Sequence, residues 1–179
     1  QRAFEDMMDI PEPPRAPIKL RPPTSQPVDA ADMYGELQFD PEGDGETLAF
    51  LGSAYGAFRG DRLATRAFDA VENQMAAGSL PKNNPYSPEA DAYRHAIWSY
   101  MMAKELGYAE AKRFGDAHEI SSPNDVGERL KDLYNNEVGR QLADDPANRN
   151  RSDEEVVIEA LRAGRLMFSP FNVTSSGGP

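Results

Sequence analysis

The sequence contains no cysteine and only two histidines in 179 residues. The first absence excludes disulfides, thiolate zinc sites and a cysteine nucleophile. The second confines histidine chemistry to His95 and His118. No window approaches the roughly 20 consecutive apolar residues of a membrane-spanning helix, so no transmembrane segment is expected. Basic residues are also scarce: 19 Lys and Arg face 30 Asp and Glu, a net charge of −11. A nucleic-acid binder needs a basic stripe that displaces counterions from phosphates. None is present, and nucleic acid is not an expected partner. The same sign disfavours an anionic membrane surface. The chain starts at Gln1 rather than methionine, as a processed product does, and a removed signal peptide is compatible with that start.

Proline is plentiful, with 15 residues unevenly placed. The stretch "IPEPPRAPIKLRPPTSQP" removes backbone donors and fixes φ, which favours extended chain over helix. Residues 1–45 are therefore expected to form an extended Pro-rich arm that cannot build a core alone: either it wraps its own domain or, the preferred expectation, a protein partner or larger assembly holds it. At its end "DPEGDGE", residues 40–46, imitates the start of a calcium loop. The twelfth position is Leu51 where a bidentate Glu is required, so the stretch reads as an acidic turn.

Beyond the arm the apolar spacing is helical, and no stretch alternates as a strand would. An all-α bundle of about six helices is expected over residues 46–166, followed by an irregular tail at 167–179. The first helix, from Glu46, carries Gly52, Gly56 and Gly60 on one face, which suits close packing in a bundle. The second ends at Gly78. Ser87 with Pro88 starts the third, which runs to Leu106 and closes at Gly107. A fourth covers about 109–120, and Ser122 with Pro123 is expected to start the fifth. Ser152 with Glu155 makes a capping box for the sixth, which ends near Gly164.

The third helix contains "DAYRHAIWSY". It is apolar nearly all round, yet Asp91 and His95 stand four apart on one face, with Arg94 and Trp98 nearby. A carboxylate and an imidazole on a central helix must be paired, because buried unpaired polar groups are costly. Asp91 is placed to orient His95. The fourth helix ends with Asp116, His118 and Glu119. On the fifth, Asp132, Asn136 and Arg140 repeat every four residues, with Asn135 beside them; two successive asparagines in a helix point to polar work rather than propensity. Gly139 lets another backbone or a ligand come close.

These segments resemble a bacterial and phage helical domain family in which D-A-x-R-H-A-x-W, then H-E, then N-N-x-x-G-R recur on consecutive helices. The matching residues are Asp91, Arg94, His95 and Trp98, then His118 and Glu119, then Asn135, Asn136, Gly139 and Arg140. The resemblance covers roughly residues 85–145. It departs at Tyr134, where relatives often carry histidine. The family occurs in secreted proteins and at the ends of Rhs-type polymorphic toxins. The resemblance thus implies a secreted, periplasmic or virion-associated chain that acts at the bacterial envelope.

Three chemical readings stay open at this point. A polar network could hold three helices in register, with His95 on Asp91 and Arg140 on a carboxylate such as Glu119. Alternatively, a hydrolase or lyase site is metal-free: His95 and His118 with Glu119 supply acid and base, and Arg140 with the asparagine amides stabilises developing negative charge. Asp91, Arg94, Asn135 and Asn136 then serve as binding residues. No cofactor is expected on that reading. In the third and weaker case a divalent metal sits on His95, His118 and a carboxylate from Glu119 or Asp91. The different class of function is a structural or adaptor component of a virion or envelope complex, bound through the arm.

Overall fold

A computed structural model of the chain describes residues 17–40 and 61–174. The expected helix at 46–60 with its glycine face, and all of the acidic turn at 40–46 beyond Asp40, lie outside the described residues. Six α-helices are present among the described residues: α1 (Ala30–Glu36), α2 (Asp61–Ala76), α3 (Pro88–Leu106), α4 (Tyr108–Ser121), α5 (Val126–Asp144) and α6 (Asp153–Arg162). The only strands among the described residues are β1 (Val28–Asp29) and β2 (Val173–Thr174), paired parallel with Val28 opposite Val173. The protein is all-α.

Helix α3 is the centre of the bundle and packs against α2, α4, α5 and α6. That position explains its sequence, because a helix covered on most sides presents apolar residues all round. Ala92, Tyr93, Ala96, Ile97, Tyr100 and Met102 are buried there. Ser87 caps the helix by accepting from Ala90 N at 3.2 Å, and Pro88 occupies the first turn. Gly107 ends it with φ +86°, a backbone state that glycine adopts without strain.

The tightest helix contact joins α3 to α5. A Cβ placed on Gly139 would overlap the Ala96 carbonyl oxygen, so only glycine allows this approach. His95 precedes Ala96, and the same contact therefore sets the distance from His95 to the polar face of α5.

Two cap assignments differ from expectation. Helix α5 starts at Val126, capped by Asp125, whose Oδ1 accepts from Glu128 N at 2.9 Å. Ser122 instead closes α4, donating to the His118 carbonyl at 2.9 Å. Both residues are good caps by type, and the one nearer the apolar repeat of α5 takes the role. Ser152 stands at the N-cap of α6 but makes no side-chain cap bond.

The arm is not extended throughout. Its described part contains α1, capped by Asp29, which accepts from Ala31 N at 2.8 Å. A seven-residue helix is unstable alone. Here Met33 and Leu37, and Phe39 just beyond, are buried in the common core, and packing supplies what propensity does not. Residues 17–27 run as irregular chain along the domain's own surface. Gln141 Nε2 donates to the Ile18 carbonyl at 2.9 Å and Tyr134 Oη to the Arg21 carbonyl at 2.8 Å. Arg21 pairs with Glu36. The described arm thus docks on its own helices, and the β1–β2 pair ties it to the tail.

Candidate functional site

The site forms where α3, α4 and α5 meet, and His95 is its middle. From α3, Asp91 stands one turn before His95, with Oδ1 3.8 Å from His95 Nε2. From α5, Asp132 Oδ1 approaches the same Nε2 to 3.6 Å. From α4, Glu119 Oε1 faces the other ring nitrogen, Nδ1, at 3.6 Å. Three carboxylates from three helices therefore surround one imidazole, all beyond direct hydrogen-bond length. The side chain of His95 is 12% exposed and that of Asp91 21%, while Asp132 and Glu119 are buried. The centre is closed on the Glu119 side and partly open at Asp91.

Each carboxylate is held from outside. Asn136 Nδ2 donates to Glu119 Oε1 at 3.0 Å. Asn124 Nδ2, from the loop between α4 and α5, donates to Asp132 Oδ2 at 3.0 Å. Lys131 Nζ reaches Asp91 Oδ2 at 2.8 Å and Glu128 Oε2 at 2.5 Å. Arg94 pairs with Asp91 Oδ1 and lies over the Phe68 ring, 5.1 Å from its centroid. Four buried atoms of these residues are left without a hydrogen bond: His95 Nδ1, Glu119 Oε2, Asp132 Oδ1 and Asn136 Oδ1.

The electrostatics follow from burial and from these partners. Burial pushes the His95 pKa down to about 4; Asp91 opposes this, and the charges of Arg94 and Lys131 reinforce it. The imidazole is neutral at neutral pH despite its three acidic neighbours. Burial raises Asp132 to about 6, with Lys131 opposing and Asp91 and Glu128 assisting. Glu119 is pushed well above the ordinary carboxylate range, again by burial first and by Asp132 next. Burial also works against the Asp91 charge, but His95, Lys131 and Arg94 outweigh it and hold Asp91 low. Carboxylates in one cluster thus have pKa values driven apart, as in sites where one carboxyl keeps its proton and another does not.

His118 lies beside this centre. Its ring meets Trp98 edge-on, with centroids 5.1 Å apart. The residue is exposed, and its pKa is lowered by the surrounding protein first and by His95 next. The two histidines are near enough for His95 to act on the His118 charge, and Trp98 packs on His118.

A family description of a domain of unknown function (DUF6973) matches residues 62–165, more than half of the chain. The chain belongs to the DUF6973 family. Comparison with curated proteins and with solved structures finds no match. The DUF6973 match runs from the start of α2 to just beyond α6, so it contains every residue of the His95 centre. The arm, β1, α1 and β2 lie outside it.

Within the DUF6973 domain the sequence-derived residues divide into two groups. Asp91, Arg94, His95, Glu119 and Asn136 converge, with His118 at the margin. Asn135 and Arg140 do other work. Asn135 clamps the chain after α6, donating from Nδ2 to the Met167 carbonyl and accepting at Oδ1 from Met167 N, each at 2.8 Å. Arg140 does not meet Glu119. It is buried one turn deeper, and its Nε and Nη2 donate to Glu137 Oε2 at 3.0 and 2.8 Å.

Glu137 in turn accepts from Tyr108 Oη at 2.5 Å and from Gln141 at 2.8 Å. Lys112 and Asp116 make a second buried pair at 2.5 Å, whose pKa values burial drives toward the neutral forms. The α4–α5 seam is a line of buried polar groups that ends at His95.

Asp132, Lys131 and Asn124 are the site residues that the sequence motif does not mark. Asp132 has a legible signal, its four-residue spacing from Asn136 on one helical face. Lys131 and Asn124 have none, since a lysine in an amphipathic helix and an asparagine after proline read as surface and turn.

Proposed function

We propose that the domain is a hydrolase acting on bacterial envelope material, with the His95 centre as its active site. The observation that carries the reading is the neutral imidazole held among three carboxylates of unlike pKa at a partly open edge. A purely structural histidine would be expected to satisfy both nitrogens, yet neither lies within hydrogen-bond length of a carboxylate. In this arrangement an unprotonated His95 accepts the proton of an attacking water, with Glu119 fixing its orientation from the far side. Asp132, titrating near 6, is suited to return a proton to a leaving group. Positive charge at the open edge comes from Arg94. Arg140, engaged with Glu137 in the interior, stays out of reach of a substrate.

The envelope assignment rests on the family resemblance of the motif, which occurs in secreted proteins and at the ends of Rhs-type toxins. The acidic net charge suits neither nucleic acid nor an anionic surface as target.

The test is product release from two substrates assayed separately, purified peptidoglycan and phospholipid vesicles. The full chain is compared with His95→Gln, and soluble fragments or free fatty acids are read by mass spectrometry. Release from one substrate that falls about 100-fold or more in His95→Gln fits a lost acid–base group. No release from either, or equal release by the variant, overturns the reading. A structural component of a larger assembly is then the better account.

A further inference from the structure

Three atoms able to ligate a metal come together in the site. Asp91 Oδ1, His95 Nε2 and Asp132 Oδ1 belong to three side chains whose ligand atoms lie within 4.8 Å of one another. His95 Nε2 stands 3.8 Å from the first oxygen and 3.6 Å from the second. Ligands on a tetrahedral ion at ~2.1 Å are ~3.4 Å apart, so shifts of a few tenths of an ångström would bring His95 Nε2 to ligand spacing from each oxygen. Asp132 is 3% exposed, its Oδ1 accepts no hydrogen bond, and that atom is aimed at the shared point.

The outer oxygens of both aspartates have their own partners. Asp91 Oδ2 takes Lys131, Asp132 Oδ2 takes Asn124, and His95 Nδ1 faces Glu119, which Asn136 fixes. Metal-binding carboxylates and histidines are oriented this way, one atom toward the ion and the other toward a fixed outer group. Among the three inner atoms, Asp132 Oδ1 is buried without a hydrogen bond, whereas Asp91 Oδ1 carries Arg94.

We propose that Asp91, His95 and Asp132 bind a divalent first-row transition ion, Zn²⁺ or Mn²⁺, with water completing its shell. One imidazole and two carboxylates favour these over Mg²⁺ or Ca²⁺, which take oxygen ligands throughout. This deepens the hydrolytic reading of the same centre. On it His95 and Asp132 serve as ligands in place of the acid–base roles given above, and the ion would lower the pKa of the attacking water.

The resident competitors are cationic side chains. Arg94 pairs with Asp91 Oδ1, and Lys131 Nζ lies 3.5 Å from Asp132 Oδ1. Arg94 sits at the partly exposed edge over Phe68 and can yield without disturbing the core. Lys131 is buried and keeps its bond to the outer oxygen of Asp91.

The experiment uses the full chain after chelator treatment. Isothermal titration with ZnCl₂ and MnCl₂ is paired with NMR mapping of Mn²⁺-broadened amides. One equivalent is expected to bind, with broadening centred on residues 91–95 and 131–133. Asn124→Ala should weaken binding ~10–100-fold by freeing Asp132, and Arg94→Gln should strengthen it. Both changes lie at the edge of the fold, so they remain informative if Asp132→Asn fails to fold. Broadening spread over the acidic surface, no stoichiometric uptake, or affinities unmoved by Asn124→Ala would each overturn the site. The readout needs no substrate. Hydrolysis without metal uptake sinks the ion site alone, and uptake without hydrolysis sinks the hydrolase alone.

Discussion

Replacing His95 by glutamine decides which force governs the centre. Two effects oppose each other there. Three carboxylates would raise the pKa of an imidazole, while burial together with Arg94 and Lys131 would lower it. The structure favours burial, and His95 falls from 6.5 to about 4. The sign of the linkage follows. Above the unfolded value the ring is neutral in both states and contributes no pH dependence. As pH falls below it, the unfolded chain binds a proton that the folded chain refuses, and stability drops.

Each pH unit between about 6.5 and about 4 corresponds to about 1.4 kcal/mol. At about pH 4.5 the penalty is therefore about 2 to 3 kcal/mol, and His95→Gln does not carry it. Urea unfolding of both chains at about pH 7 and about pH 4.5 yields a difference of differences, in which the titrations shared by both chains largely cancel. The variant should lose stability at neutral pH through lost packing, then regain about 2 to 3 kcal/mol relative to wild type in acid. A variant that instead falls further behind in acid would show that His95 is protonated when folded. The carboxylates would then outweigh burial, and a neutral proton acceptor would be untenable.

Two further substitutions test the frame around the site. Gly139→Ala should cost about 3 kcal/mol or more in thermal or urea unfolding, because the new Cβ meets the Ala96 carbonyl and helices α3 and α5 must part. A cost below about 1 kcal/mol would mean that this contact is not rigid. Asn135→Ala removes two buried hydrogen bonds to Met167 and should cost about 2 to 4 kcal/mol. Its amide exchange should rise first after α6, while the His95 titration stays unchanged; a shifted His95 would place Asn135 in the site after all.

The sequence by itself determined the helices and pointed to the region of the site. Apolar spacing, Ser87 with Pro88, and glycines at 78, 107 and 164 mark most helix boundaries, because caps and periodicity are local physics. The Asp91–His95 pair and the His118–Glu119 dipeptide identify the polar faces for the same reason, since positions one turn apart share a side. Helix α1 escaped notice because its stability comes from burying Met33 and Leu37 against distant residues rather than from its own turns.

Only the tertiary structure decided which polar residues meet. Asn135 and Asn136 are neighbours in sequence but about 100° apart around α5, so one clamps the tail and the other holds Glu119. Arg140 lies one turn from Asn136 on the same stripe, yet it pairs with Glu137 inside its own helix. Asp132 joins His95 because Gly139 lets α3 and α5 approach closely. Neighbours in sequence follow helix geometry, whereas contacts between helices depend on crossing distance and angle, which the packing of the whole core sets.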